Sequence, residues 1–106
     1  MINVVYDRKN FTVTVKGHAA SGEAGRDIIC SAVSILVYTL EANVKAMKHN
    51  GQAKRATSKL ESGNAVIKCK PCRSLESVVR VSFNSVCVGF ELLSKAYPDF
   101  VNYELV

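Results

Sequence analysis

His18 and Cys30 carry the two side chains in this sequence best suited to covalent catalysis, and they flank a small, glycine-bearing stretch that reads GHAASGEAGRDIICSAVS from Gly17 to Ser34. A cysteine attacks a carbonyl only as its thiolate, and a neighbouring imidazole both favours that form and moves the proton. The segment FTVTVKG alternates and ends in glycine, so His18 falls where a strand runs out into a loop and can face solvent. Beyond the loop, Asp27 precedes an uncharged apolar segment and is a candidate N-cap, which would make Cys30 the third helical residue. Unpaired backbone N–H groups and the helix dipole at that end favour a thiolate.

The helical phase supports the same pair. Ile29, Val33, Leu36, Leu40, Val44 and Met47 recur at spacings of four and three and define a core stripe. Cys30 lies at the flank of that stripe, on a ridge with Asp27 and Ser34, where a side chain can reach a cleft. The plainer alternative is a half-buried cysteine beside a loop histidine with no joint role.

Gly17-His18-Ala19, the eleven residues between His18 and Cys30, and the run Asp27-Ile28-Ile29-Cys30-Ser31-Ala32-Val33-Ser34 resemble the signature of the ribosomal-processing cysteine proteases, the Prp family. The resemblance implies that Cys30 is the nucleophile and His18 its base, with Gly17, Asp27 and Ser34 as candidate supporting positions. It also implies a substrate, the N-terminal extension of protein twenty-seven of the large ribosomal subunit in Firmicutes and related bacteria. No cofactor or metal is expected. Asp27 either orients His18 or merely caps the helix. The expected chemistry is acyl transfer, with the thiolate attacking the scissile carbonyl, the imidazolium protonating the leaving amine, and helix N–H groups as oxyanion donors.

These residues must be positioned by one domain, since 106 residues leave no room for a second; a chain of this size buries roughly 65% of its unfolded surface. A hydrophobic fraction of 48% and a charged fraction of 22% exclude a disordered or fibrous chain. The N-terminus lacks a basic region followed by an apolar stretch, and the longest uncharged run, Ile28 to Leu40, falls short of the roughly 20 residues that span a bilayer. A cytoplasmic protein with no membrane segment is therefore expected, its four cysteines reduced.

Ile2 to Tyr6 and Phe11 to Lys16 read as strands joined by a polar turn, Asp7 to Asn10. The loop from His18 to Gly25 has too little apolar bulk to pack firmly, and mobility is expected for Ala19 to Gly25. A helix from about Asp27 to Asn50 ends at Gly51 with Lys45, Lys48 and His49 complementing its dipole. Lys54 to Leu60 and Ala65 to Lys70 form a second hairpin, with Gly63 and Asn64 able to take positive φ. A second helix from about Ser74 to Tyr97, with Ser74 and Ser77 as candidate caps, repeats Val79, Phe83, Val86, Phe90 and Leu93. Its other faces carry Val78, Val81, Val88 and Leu92, which points to a homodimer. A last strand, Phe100 to Val106, follows Pro98. The order ββαββαβ predicts an α/β (α+β) two-layer sandwich with two helices on a mainly antiparallel sheet.

Other constellations compete. Cys69-Lys70-Pro71-Cys72 has the form of a redox CxxC, but no thioredoxin-like βαβ context or later cis-proline position accompanies it. As a zinc site it supplies two ligands and would need His18 and Cys30 to complete it. Two reduced thiols at a turn is the simplest reading, with Cys87 packing in the core. A net charge of +5, with Lys45, Lys48, Lys54, Arg55 and Lys59 close together, keeps open direct RNA binding. The alternative function is thus a small basic RNA- or ribosome-binding module without catalysis.

Overall fold

The computed structural model describes residues 1–17 and 26–106, apart from the side chains of residues 26 and 27. Five strands and two helices follow in the expected order: β1 Ile2–Asp7, β2 Thr12–Lys16, α1 Arg26–His49, β3 Ala53–Glu61, β4 Asn64–Pro71, α2 Glu76–Ala96 and β5 Val101–Leu105. The strands lie side by side as β3-β4-β2-β1-β5. All pairs are antiparallel except β1 with β5, so the mainly antiparallel two-layer sandwich is what forms.

Period-two alternation directs one face of each strand inward. Ile2, Val4 and Tyr6 of β1, Val13 and Val15 of β2, and Ala65, Ile67 and Cys69 of β4 are buried, and both helices pack on that face. Phe83 is fully buried at its centre, stacked on Tyr6 with ring centroids 5.8 Å apart and edge-on to Phe11 at 5.9 Å. The Tyr6 hydroxyl donates to Asn84 Oδ1 at 2.9 Å, which satisfies the polar end of a buried ring.

Several local expectations shift. Val37, not Leu36, completes the sheet-facing stripe of α1. Leu36 instead fills the space over Gly89 of α2, where a Cβ would come within 2.6 Å of its side chain. Gly51 ends α1 in the left-handed region as expected, with Gln52 N–H donating to the Met47 carbonyl at 2.8 Å and Gly51 N–H to that of Lys48 at 3.2 Å. Asn64 does not take positive φ; it is the first residue of β4 and pairs with Glu61. Neither Ser74 nor Ser77 caps α2. Leu75 holds the cap position without a side-chain bond, and Ser74 takes φ 73° in the turn before it. Ile28–His49 and Glu76–Ala96 are each long and apolar enough to cross a bilayer by length and composition, a reading the shorter uncharged run concealed; each buries one stripe against the sheet.

Burial pushes the Cys87 thiol up to about 12, partly offset by a hydrogen bond with Tyr103, whose hydroxyl is itself pushed up by burial and then by Cys87. Raised values mean that the folded state holds these protons more tightly than the unfolded chain. The associated stability is complete below the ordinary thiol value of 9.0 and is lost as pH climbs toward 12. Denaturant titrations should therefore show stability falling between pH 9 and 12, and Cys87→Ala should flatten that fall.

Candidate active site

The topology gathers three parts of the chain at one end of the sheet. β2 ends there at Lys16, opposite Asn64 at the start of β4. α1 begins there and runs back across the sheet, and β3 returns to the turn that joins it to β4. Gly17 N–H donates to the Gly63 carbonyl at 3.0 Å, tying the end of β2 to that turn.

Gly17 is required for the arrangement. Its φ is +100°, and a Cβ would collide with the backbone carbonyl of Met1. Close passage of the first residue of the chain thus fixes the backbone that leads into His18.

Between these parts lies a cleft of about 250 Å³. Cys30, half-buried at the edge of the core, opens onto it, and Ser34, one helical turn further on, lines the same wall. Val33, Val37 and Leu60 give the cleft an apolar side, while Glu61, Ser62 and Asn64 supply a polar rim from the hairpin. Asn64 Oδ1 is buried and has no hydrogen-bond partner among the described residues.

Of the residues read from sequence, the structure brings Gly17, Cys30 and Ser34 together. His18, the side chain of Asp27 and the loop expected to be mobile, Ala19 to Gly25, lie outside the described residues. Helix α1 is described from Arg26 onward, so Asp27 lies within the helix instead of capping it, and Cys30 is at least the fifth helical residue rather than the third. The dipole acts mainly over the first turn, so Cys30 stands just beyond its strongest influence. Asn64 and the hairpin wall were missed in sequence because their nearness to Cys30 depends on β4 pairing with β2, which no local pattern signals.

The other thiols stand apart. Cys69 is buried, with its thiol pushed up first by burial and then by Cys72. Cys72 lies in the turn before α2, its N–H donating to the Gln52 carbonyl at 3.0 Å. All four cysteines are free, and among the described residues no three His, Cys, Asp or Glu side chains are placed to hold a metal. Cys87 is in the core, as its position in the second helix predicts.

A family model described as cysteine protease Prp matches residues 1–102. The chain belongs to the Prp family of cysteine proteases. No match was found among curated proteins. Among solved structures, SMU.848 from Streptococcus mutans is 25% identical, with a TM-score of 0.68 over 99% of this chain and 91% of that one. The ribosomal processing protease Prp of S. aureus, solved with a covalently linked product peptide, is 20% identical with a TM-score of 0.74 over the whole of both chains. The same S. aureus protease, solved with a substrate peptide, gives 18% and 0.74, again over both whole chains. At these identities the S. aureus structures agree with this Prp-family chain in fold.

Proposed function

We propose that this Prp-family protein is an endopeptidase that removes the N-terminal extension of large-subunit ribosomal protein twenty-seven, using Cys30 and His18 as a catalytic dyad. The observation that carries the reading is the cleft itself, in which Cys30 opens between an apolar wall and a polar hairpin rim. Its volume suits a large apolar side chain next to the scissile bond.

In the reaction, Cys30 Sγ attacks the scissile carbonyl carbon, and the C–N bond breaks as His18 imidazolium passes a proton to the leaving amine. A thioester remains. Water then attacks it while neutral His18 takes the water's proton, and the C–S bond breaks to return the thiolate. Gly17 supports the assignment of His18, because adjacent Cα atoms are about 3.8 Å apart and Gly17 itself lines the cleft.

The protein works in the cytoplasm as a homodimer. Val81, Val88 and Leu92 of α2 are 64%, 55% and 59% exposed, and Ile35 and Tyr38 of α1 are 60% and 57% exposed, so the helical layer presents an apolar outer surface for a second copy to cover. The test is incubation of the protein with the precursor of that ribosomal protein. A single cut at the end of the extension, read by intact mass, is expected; an intact precursor, or cuts scattered along it, would overturn the assignment.

A further inference from the structure

The charges of this chain are segregated. Eight of its fourteen Lys and Arg lie between residues 45 and 73, where Glu61 is the only acid; that segment carries +7, and the remainder of the chain, with six Lys or Arg against eight acids, carries −2. The fold concentrates part of this charge at the end of the sheet away from the cleft. The outer face of the β3–β4 hairpin, which neither helix covers, presents Arg55 and Lys70 as direct cross-strand partners and Lys68 two pairs further on, opposite Thr57 and Thr12.

Like charges placed directly opposite destabilise a sheet, and none of these three cations makes an ion pair among the described residues. By contrast, Lys45, Lys59 and Lys95 are paired with Glu41, Glu61 and Glu91. Asp7 is the acid that Lys68 reaches electrostatically, and its carboxyl is held chiefly by Asn10 and lies below the usual carboxylate range. An anion seated between Arg55, Lys68 and Lys70 would relieve the repulsion.

We propose that this outer face is a docking surface for the phosphate backbone of folded RNA. Three features select that occupant. The Thr57 hydroxyl stands between the cations and can donate to a phosphate oxygen, whereas that of Thr12 already donates to the Asn10 carbonyl at 3.0 Å. The β3–β4 face carries no aromatic residue on which an unpaired base could stack. It also lacks the large apolar side chains that a membrane-surface element inserts between lipids. The choice of RNA over DNA rests on the ribosomal reading above, since a ribosomal precursor is met among RNA phosphates. From Arg55 to Glu61 along β3 is roughly 20 Å at about 3.3 Å per residue, so bound RNA would leave the cleft open to peptide.

The experiment uses full-length protein and an RNA hairpin of about 16 base pairs, with a DNA duplex of the same length and vesicles of anionic phospholipid as further arms. If Arg55, Lys68 and Lys70 each neutralise a phosphate, log Kd for RNA should rise with log salt with a slope near 3, a roughly 40-fold weakening between about 50 and 200 mM. Replacing the three by Gln should remove most of that slope and raise the melting temperature at low salt, which also reports that the variant folds. Replacing Lys45, Lys48 and Lys95 of the two helices by Gln removes the same charge away from this face and should leave the slope near 3. The proposal is overturned by equal losses in both triple variants, by preference for DNA or vesicles, or by no salt-dependent RNA binding. Peptide cleavage separates it from the protease reading: cleavage without RNA binding removes this surface alone, and RNA binding without cleavage removes the catalytic assignment alone.

Discussion

Cys30→Ala is expected to lower cleavage of the extension peptide by about 10⁴-fold or more without unfolding the protein. Removing the nucleophile of a covalent mechanism leaves only binding and electrostatic stabilisation, and such losses typically run from about 10⁴ to 10⁶. The structural side of the prediction follows from placement. Cys30 is half-buried at the edge of the core and borders a cleft, so the truncation enlarges an existing opening instead of creating a closed void. The expected stability loss is below about 1 kcal/mol, well under the roughly 2–5 kcal/mol of a large core truncation. Steady-state kinetics and a denaturant titration on the same preparation check both halves.

Gly17→Ala should have the opposite profile, with stability and activity falling together. A side chain at φ +100° is strained, and the new Cβ would strike the Met1 carbonyl, a backbone atom that yields only if β1 shifts. Backbone strain of this kind costs about 1–3 kcal/mol before any collision is counted, so a total of roughly 2–4 kcal/mol is expected. Any movement of residue 17 is passed to His18, and the peptidase rate should fall in parallel. Gly51→Ala is the control. Gly51 has φ +76° but nothing within 4 Å of the position a Cβ would take, so it should lose about 1 kcal/mol and keep its rate.

The elements of this fold were legible because burial on one face leaves a period in the sequence. Thr12 to Lys16 alternates, and Val79, Phe83, Val86 and Phe90 return at helical spacing; both patterns became the expected elements. Errors of one residue arose where two phases were nearly equivalent. Leu36 and Val37 are about 100° apart on a helix, and only the gap over Gly89 of the other helix decides which of them faces the sheet. The caps failed for a related reason: Ser74 is a residue type that favours caps, but the turn after Cys72 places it at φ 73°, where it makes no cap bond. Gly17, Cys30 and Ser34 line the cleft; helical spacing marks Cys30 and Ser34 in the sequence, and the family resemblance marks Gly17. Asn64, Leu60 and the hairpin rim are not marked, since their place beside Cys30 is set by the pairing of β4 with β2, a contact between segments about fifty residues apart whose only local trace is a turn.

The central claim is that Cys30 forms the acyl intermediate, and its most direct test is to trap that intermediate. The protein is mixed with an activated ester of the peptide that precedes the cut, quenched in acid before the thioester hydrolyses, and examined by intact and tandem mass spectrometry. One acyl group per chain is expected, attached at Cys30 and absent from Cys30→Ala. An acyl group on Cys72, the other half-exposed thiol, or peptide hydrolysis that persists undiminished in Cys30→Ala, would contradict it.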